Sequence, residues 1–402
     1  MERMILPHAA WRAREGLTKL CGVLGAAEGK VRFVGGAVRD TLLGIDVADV
    51  DLATTHSPER VIALLKDNDI KAVPTGLAHG TITAVLPGGV PVEVTTLRSD
   101  VATDGRHATV AFTDDWQEDA ARRDFTMNAL YADPLTGKIF DYFGGIDDLA
   151  ARRVRFIGDP LKRIAEDHLR ILRFFRFHAR FGDAPDQAGI DACTERANDL
   201  MALSRERIAA ELVRLLVAVH AVRVVELMIE RRIFAPVLPE IDSAARLARL
   251  AAREAGAGIA PDPIRRLAAL IPADTRVADD VGARLKLSKV ERRRLISATE
   301  PVGEEPATVI GYRLGKALAI DRLLLSDRPE SEAASLIDWE APALPLTGGA
   351  LVERGLRKGP EVATTLRLIE EQWIAEGFPD AARVERIADA TVAQFLRASN
   401  SA

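Results

Sequence analysis

The stretch GIDVADVDLATTHS, residues 44–57, combines the apolar alternation of a β-strand with two aspartates, Asp49 and Asp51. Aspartate is depleted in strands, so a pair of them here calls for an explanation. Because side chains alternate along a strand, both carboxylates should lie on one face while Val50 and Leu52 point into the core. Two carboxylates on one face suit a hard divalent cation such as Mg²⁺, although an isolated D-x-D pair is more often a solvated strand face.

The segment just before it, VRFVGGAVRDTLLG at 31–44, predicts a strand that turns at Gly35-Gly36 into a short helix. Glycine lets a backbone approach a ligand closely, and the free N–H groups at a helix start attract anions. Arg39, about one turn into the helix, adds a positive charge. A Gly-Gly pair alone is usually only a turn. Followed by the D-x-D strand, it describes a site for a nucleoside triphosphate and its metal ions.

A third acidic residue lies in a predicted hairpin. The sequence GTITAVLPGGVPVEVTTLR, residues 80–98, has two strand patterns around a Pro-Gly-Gly turn, and Glu93 interrupts the apolar alternation of the second strand. A lone acid on a strand usually faces solvent. Here it would complete a carboxylate trio with Asp49 and Asp51 for two-metal phosphoryl transfer.

Length and composition limit the class of protein. With 402 residues the chain is too long for one ordinary core, and a net charge of −5 gives no global sign of nucleic-acid binding, so any polyanion site must be a local concentration of Lys and Arg. A Walker A motif is absent, which argues against a nucleotide-dependent kinase. Cys21 and Cys193 lack metal-type spacing and predict free thiols in a reducing compartment. With no signal-peptide pattern and no long apolar run, we expect a cytoplasmic protein.

Strand and helix patterns alternate up to about residue 150, and helical periodicity takes over afterwards, which predicts an α+β fold with a long helical arm. The segment 57–68 has the cap Ser57 followed by proline, a helix start. In 204–234 the apolar residues recur at the spacing of one helix face. The segments 275–299 and 359–377 are also predicted to be helical.

Five motifs occur in order along the chain: GGAVRD at 35–40, DVDLAT at 49–54, GRH at 105–107, RRDFTMNAL at 122–130 and AEDHLRILRFFRFHARFG at 165–182. In order and spacing they resemble the signatures of the bacterial class II tRNA nucleotidyltransferase / poly(A) polymerase family. The resemblance implies a polymerase-β-like nucleotidyltransferase head with a small mixed sheet, followed by an all-helical neck, body and tail. The boundaries it implies are 1–150 for the head, 151–204 for the base-recognising neck, 205–300 for the RNA-binding body and 301–402 for the tail.

The resemblance also implies roles for single residues. Those that would hold two Mg²⁺ ions and carry catalysis are Asp49, Asp51 and Glu93. The metals would lower the pKa of the primer's 3′-hydroxyl, which attacks the α-phosphate. Those that would cradle the triphosphate are Gly35, Gly36 and Arg39, with Asp40 either orienting Arg39 or serving as a structural cap. Those that would contact the sugar and phosphates are Arg106, Arg122, Arg123, Asp124 and Asn128.

Base selection is expected in the last motif. Asp167 and Arg170 lie three residues apart and should share a face of a helix that starts at Pro160, with Arg173 one turn further on. Without context they would be a helical salt bridge. In a nucleotide site, Asp167 can accept from an exocyclic amine while Arg170 donates to the adjacent ring nitrogen. Cytosine and adenine offer that pattern and uracil and guanine the reverse. Glu166 is expected to orient Arg170.

The region 151–180 is locally basic, with nine Lys or Arg against three acids, and is expected to contact the triphosphate and the RNA backbone. Its phenylalanines, 174, 175, 177 and 181, are predicted to be core residues. Weaker RNA-binding candidates are Arg176, Lys286 and Lys289, together with the run Arg292-Arg293-Arg294.

The resemblance therefore implies template-independent addition of CCA to tRNA from CTP and ATP. The expected partner is the acceptor end of tRNA, with no membrane and no obligate protein partner. Three alternatives stay open: an ATP-specific poly(A) polymerase, a specialist that adds only CC or only A, and, outside the class, a catalytically silent RNA-binding protein. The last would predict lost acids, and Asp49, Asp51 and Glu93 are all present.

Overall fold

The computed structural model describes residues 4–103 and 108–400 and divides the chain into two compact units, Met1–Ser243 and Ala244–Ala402. Within these described ranges every strand belongs to the first unit, and the second is helical. The predicted α+β order, a mixed sheet followed by helices, is confirmed. The finer division at residues 150, 204 and 300 stays a prediction.

The strands are β1 (Val31–Val34), β2 (Asp51–Thr54), β3 (Lys71–Gly76), β4 (Thr81–Val85), β5 (Pro91–Thr96), β6 (Arg98–Thr103), β7 (Ala108–Phe112), β8 (Leu130–Ala132) and β9 (Ile139–Asp141). The helices of the first unit are α1 (Leu17–Val23), α2 (Gly36–Leu42), α3 (Pro58–Asp67), α4 (Trp116–Ala121), α5 (Gly145–Ala150), α6 (Pro160–Glu166), α7 (Arg170–Phe181), α8 (Gln187–Glu195), α9 (Arg205–Leu216) and α10 (Ala221–Glu230). Those of the second unit are α11 (Ala245–Gly256), α12 (Pro263–Leu270), α13 (Thr275–Arg284), α14 (Lys289–Thr299), α15 (Ala307–Leu314), α16 (Lys316–Leu325), α17 (Glu330–Ala334), α18 (Gly348–Glu353), α19 (Pro360–Ala375) and α20 (Ala381–Asn400).

Seven strands form one sheet in the order β3-β4-β5-β2-β1-β8-β9, and β6 pairs with β7 in a separate ribbon. Every pairing in the seven-stranded sheet is antiparallel except that of β2 with β5. A parallel pair needs a crossover, which α3 and the β3–β4 hairpin supply. The parallel register places Asp51 directly opposite Glu93. Chain topology therefore brings together two acids that are far apart in sequence.

Local chemistry explains the elements that were predicted well. Ser57 accepts a hydrogen bond from the backbone N–H of Arg60 and caps α3, with proline at its first position. The hairpin predicted in 80–98 forms as β4 and β5. A small apolar cluster under the sheet includes Val34, Ala53 and Tyr131.

Two predicted helices are broken. The pattern in 204–234 forms α9 and α10 with a break at 217–220, where the backbone N–H of His220 donates to the carbonyl of Ala179 instead of to its own helix. The segment 275–299 forms α13 and α14, because Ser288 and Glu291 make a capping box that starts a new helix. In 204–234 the apolar periodicity continues across the break and could not reveal it, whereas Ser288 with Glu291 three residues later is a helix-start pattern that the sequence shows.

A buried charge network holds part of the second unit. Glu254 accepts hydrogen bonds from Arg265 and Arg266, each at 2.8 Å. Asp321 accepts from Arg265 at 3.2 Å and from Arg294 at 2.6 Å. Glu254 is 1% exposed and Asp321 is fully buried, so each needs these arginines as partners.

Across the described part of the chain, none of the helices combines the length and the apolar character that crossing a membrane requires.

Candidate active site

A pocket of about 390 Å³ in the first unit collects residues from four of the five motifs. They come from the turn into α2, the start of β2, the segment after α4, and the region where α6 meets α7. Its lining residues are Gly35, Gly36, Arg39, Asp51, Arg122, Arg123, Asp124, Asn128, Asp167, Arg170, Arg173 and Phe177. The remaining motif, with Arg106, lies outside the described residues.

The acidic side of the pocket is formed by Asp51, the first residue of β2. Burial raises the pKa of its carboxyl group to about 6, and the nearby charge of Glu93 adds to this, while Arg123 acts in the opposite direction. Glu93 itself is exposed on β5. Asp51 is therefore a carboxylate whose negative charge is incompletely compensated by the protein.

Burial around Asp51 follows the expected alternation, with Val50 and Leu52 buried and Asp49 exposed. The strand begins at Asp51, and Asp49 lies on the loop before it, exposed to solvent. That both carboxylates share a face stays a prediction, and the charge of Asp49 contributes to the raised pKa of Asp51. Among the described residues, no three His, Cys, Asp or Glu side chains are close enough together to hold a metal ion. The metal role of Asp49, Asp51 and Glu93 stays a prediction.

The glycine turn borders the basic side of the pocket. Gly35 precedes α2 with φ +67°, a conformation that disfavours any side chain. A Cβ there would lie 3.7 Å from Nη1 of Arg123 and 3.6 Å from the carbonyl oxygen of Asn128. Those are ordinary contacts, so the backbone angle, rather than lack of space, requires glycine at this position.

A chain of hydrogen bonds links α2 to α7. Arg39 donates from Nε to Asp40 at 2.7 Å and from Nη1 to the side-chain oxygen of Asn128 at 2.6 Å. Asn128 donates to Asp124 at 2.9 Å, and Asp124 accepts from Nε of Arg173 at 2.8 Å. The Asp40 contact is the one expected to orient Arg39.

These contacts set the ionisation of the chain's members. Burial lowers the pKa of Arg39, and the adjacent Asp40 opposes that effect. For Asp124 burial alone would raise the pKa, but pairing with Arg173 and the hydrogen bond from Asn128 lower it overall. Asp124 is thus an ionised carboxylate whose oxygens are occupied by protein donors.

Asp167 and Arg170 both line the pocket, but the prediction that one helix carries them is wrong. Helix α6 ends at Glu166, and Asp167 is extended, with φ −151° and ψ 106°. Its Oδ1 accepts from the backbone N–H of Leu169 at 3.1 Å, and α7 starts anew at Arg170. Short aspartate side chains compete with the helix for backbone donors in this way.

The protein already holds both side chains. Oδ2 of Asp167 pairs with Nη2 of Arg207 on α9 at 2.8 Å. Arg170 donates from Nη1 to Glu166 at 2.5 Å, as expected, and to the carbonyl of Arg163 at 2.9 Å. Its Nη2 donates to the carbonyl of Arg122 at 3.0 Å. Of the five N–H groups of a guanidinium, these contacts with described residues use three. Two N–H groups therefore remain that can meet a ligand.

Nothing in the sequence patterns drew attention to Asp119, on α4. Its carboxylate is 1% exposed and accepts from Nε of Arg122 at 2.9 Å, Nη2 of Arg123 at 3.0 Å and the hydroxyl of Tyr131 at 2.6 Å. Burial would raise the pKa of this carboxyl group, but the two guanidinium groups lower it to about 2. An acid three and four residues before an Arg-Arg pair at a helix end was the available signal.

The weaker RNA-binding candidates differ in their surroundings. Arg176 pairs with Glu211 at 2.5 Å, and Arg294 pairs with Asp262 at 2.8 Å as well as with Asp321. Both guanidinium groups therefore already use donors on protein carboxylates. Lys289 begins α14, and Lys286 precedes it with φ +52°.

The phenylalanines of α7 are buried, as predicted: Phe174 is 1% exposed and Phe175 fully buried, with Phe177 and Phe181 at 6% and 5%. Phe177 also borders the pocket.

The fold and the pocket define a nucleotidyltransferase in which a mixed-sheet domain is followed by helices. Residues 31–155 match the poly A polymerase head domain, and residues 187–245 match the probable RNA and SrmB-binding site of polymerase A. The chain is 36% identical over 386 residues to CCA tRNA nucleotidyltransferase 1, mitochondrial, of Mus musculus, covering 90% of this chain and 87% of that protein. It is 31% identical over 383 residues to the CCA-adding enzyme of Lacticaseibacillus paracasei, covering 88% and 90%. The chain belongs to the CCA tRNA nucleotidyltransferase family.

Solved structures show the same fold. The Bacillus stearothermophilus CCA-adding enzyme in complex with CTP has 25% identity and a TM-score of 0.69, over 96% of this chain and 98% of that one. The Thermotoga maritima CCA-adding enzyme complexed with tRNA has 19% identity and a TM-score of 0.68, over 94% and 95%, which is a likeness of fold.

Proposed function

We propose that this nucleotidyltransferase adds C, C and A to the 3′ ends of tRNA, using CTP and ATP without a nucleic-acid template. One pocket carries the proposal. It is lined by Asp51 at the start of β2, by the glycine turn with three arginines, and by the Asp167–Arg170 pair. These parts correspond to the three needs of the reaction: activation of a hydroxyl, binding of a triphosphate, and choice of a base.

The triphosphate would lie against the glycine turn. Arg39, Arg122 and Arg123 line the pocket beside Gly35 and Gly36. Planar guanidinium groups donate two parallel hydrogen bonds to phosphate oxygens, and these charge-assisted bonds are about twice as strong as neutral ones. Because arginine stays protonated at every physiological pH, triphosphate binding through these residues should vary little with pH.

Mg²⁺ fits the acidic side of the pocket. Asp51, with Glu93 opposite it and Asp49 nearby, would hold the ion through carboxylate oxygens, the ligands Mg²⁺ prefers. Burial raises the pKa of Asp51, with the charges of Glu93 and Asp49 adding to it, and a bound divalent cation would stabilise the ionised carboxylate. When bound, Mg²⁺ makes the 3′-hydroxyl of the primer more acidic and offsets charge on the triphosphate.

Base choice would rest on Asp167 and Arg170. A carboxylate oxygen of Asp167 accepts from the exocyclic amine of cytosine or adenine, and one of the two remaining N–H groups of Arg170 donates to the neighbouring ring nitrogen. Uracil and guanine would place a carbonyl against the carboxylate and an N–H against the guanidinium. Both bases are then rejected because buried polar groups would be left unpaired.

The polynucleotide partner is the acceptor end of tRNA, whose double-stranded stem is read through its phosphates and shape. Lys286 and Lys289 in the second unit are proposed contacts, and Arg176 and Arg294 are weaker ones because acids already pair with them. We also propose a reducing compartment such as the cytoplasm, since Cys21 and Cys193 are both free and buried.

The test is nucleotide addition to a tRNA that lacks its last three nucleotides, with Mg²⁺ present. Two additions with CTP alone and a third only when ATP is added would establish the proposed function, with UTP and GTP as controls. A long ladder from ATP alone would identify a poly(A) polymerase, and arrest after CC or dependence on a CC-ending primer would identify a specialist. No incorporation while tRNA binds would identify a silent RNA-binding protein.

A further inference from the structure

Asp119 connects two arginines of the pocket without lining the pocket itself. Both of its oxygens are used: Oδ1 by Arg122 and, at 3.3 Å, by the backbone N–H of Arg98, and Oδ2 by Arg123 and the hydroxyl of Tyr131. The same hydroxyl accepts from Nε of Arg123 at 3.1 Å, so that Arg123 is held at two points.

This arrangement fixes side chains that would otherwise be flexible. Arg122 and Arg123 follow the last residue of α4, so their spacing of three and four residues from Asp119 brings both guanidinium groups to one carboxylate. A free arginine side chain loses rotamer entropy when it binds a ligand. Ordering both arginines beforehand removes much of that loss from the binding step.

Asp119 also leaves donors for a ligand. Arg122 uses Nε and Nη2 on Asp119, and Arg123 uses Nε on Tyr131 and Nη2 on Asp119. In these contacts Nη1 of each arginine is not engaged, and Nη1 of Arg123 is the atom beside the Gly35 turn. The edge of Arg123 that faces the turn is therefore the edge that Asp119 does not use.

We propose that Asp119 is a positioning residue for the nucleotide triphosphate, holding Arg122 and Arg123 so that their outer N–H groups are ready for phosphate oxygens. The inference rests on the proposed function and deepens it. Base choice is held by other side-chain contacts, from Glu166 to Arg170 and from Arg207 to Asp167. Arg170 also donates to Arg122, but to its backbone carbonyl and not to the side chain that Asp119 holds. Loss of Asp119 should therefore weaken binding of every nucleoside triphosphate alike and leave base choice unchanged.

The primary test is Asp119→Asn in the full chain, which keeps the shape but removes the charge and one acceptor. The probes are CTP and ATP in steady-state addition, and inorganic tripolyphosphate as a competitor that has no base. We expect the KM values for CTP and ATP and the inhibition constant for tripolyphosphate to rise together by about 10-fold or more. The KM for tRNA and the preference for CTP over UTP should stay at wild-type values.

The matched control is Glu118→Gln, which removes an exposed carboxylate from the neighbouring residue of α4. Among the described residues, this carboxylate accepts a side-chain hydrogen bond only from the hydroxyl of Thr113. The control variant should leave every constant unchanged. A second variant, Tyr131→Phe, deletes the hydroxyl shared by Asp119 and Arg123. It should raise the same three constants by a smaller factor, about 3-fold, and keeps the proposal testable if Asp119→Asn unfolds.

If Asp119 only stabilised the fold, its loss would lower kcat in proportion to the folded fraction. The KM values and the inhibition by tripolyphosphate would then stay as in the wild type. That result in both Asp119→Asn and Tyr131→Phe overturns the proposal. A change in base preference or in the KM for tRNA, with triphosphate inhibition unaltered, overturns it too. Failure of the proposed function looks different. The wild type would then bind CTP and tripolyphosphate without extending tRNA, and the same variants would be compared by equilibrium binding of tripolyphosphate.

Discussion

Acid should destabilise this protein through one buried histidine. His178 lies on α7, the helix that carries Arg170 and Arg173, is 3% exposed, and stacks on Phe174 with ring centroids 6.3 Å apart. Burial, and then the charges of Arg223 and His220, lower its pKa from 6.5 to about 4, while Asp183 opposes them. The unfolded chain therefore takes up a proton near pH 6.5 that the folded chain refuses until about pH 4.

The size of the effect follows from linkage. Because the folded pKa is depressed, stability is complete above pH 6.5 and is lost as the pH falls toward 4. Between pH 8 and pH 5 the loss from this one group is about 2 kcal/mol, from the difference in bound protons integrated over that range. For a unit of 243 residues that equals a fall in Tm of about 4–8 °C.

The assay is urea unfolding of the full chain at pH 8 and pH 5, followed by circular dichroism, for the wild type and for His178→Leu. Other groups titrate equally in both proteins, so their effect cancels when the unfolding free energy of the wild type is subtracted from that of the variant. A pH-independent cost of the substitution is the same at both pH values. The change in this difference between pH 8 and pH 5 therefore reports His178 alone. We expect that difference to move by about 2 kcal/mol in favour of the variant at pH 5. His220→Gln, at a half-buried histidine, is the control and should keep most of the wild-type dependence. Parallel pH profiles for wild type and His178→Leu would refute the reasoning.

Three further predictions concern the site and its support. Asp51→Asn should lower nucleotide addition by about three orders of magnitude with tRNA affinity unchanged in filter binding, and retained turnover would contradict the metal role. Arg207→Ala should remove the ion pair that holds Asp167 and lower the preference for CTP over UTP by about 10-fold. The control Arg214→Ala, at an exposed arginine on the same helix, should keep the wild-type preference. Equal preference in the two variants would contradict a role for Arg207. Glu254→Gln should destabilise the second unit by about 3–5 kcal/mol in urea unfolding, because it removes the buried negative charge that Arg265 and Arg266 both contact, and an unchanged midpoint would argue against it.

Features encoded by neighbouring residues were predictable from the sequence. The cap and proline at the start of α3 act within one turn, and the hairpin of β4 and β5 follows from a Pro-Gly-Gly turn between alternating strands. The turn at Gly35 was readable for the same reason, since its positive φ is a local demand that glycine meets.

Features that depend on side chains competing for backbone donors, or on residues distant in sequence, could not be predicted. The break at Asp167 arises because its side chain takes the N–H of Leu169, which periodicity cannot detect. Arg294 was a candidate RNA-binding residue in the sequence because its partners, Asp262 and Asp321, are brought to it only by the packing of other helices. Asp119 stayed unnoticed because its importance lies in Tyr131 and two arginines meeting at one buried carboxylate.

The central claim is that one Asp–Arg pair chooses both cytosine and adenine. It is tested most directly by measuring kcat/KM for CTP, ATP and UTP with wild type and with Asp167→Asn, whose amide can donate to the carbonyl of uracil. We predict that CTP and ATP lose a similar factor, about 100-fold, while UTP loses little or gains. A large loss for one of CTP and ATP with the other unchanged would contradict a shared reading of the two bases.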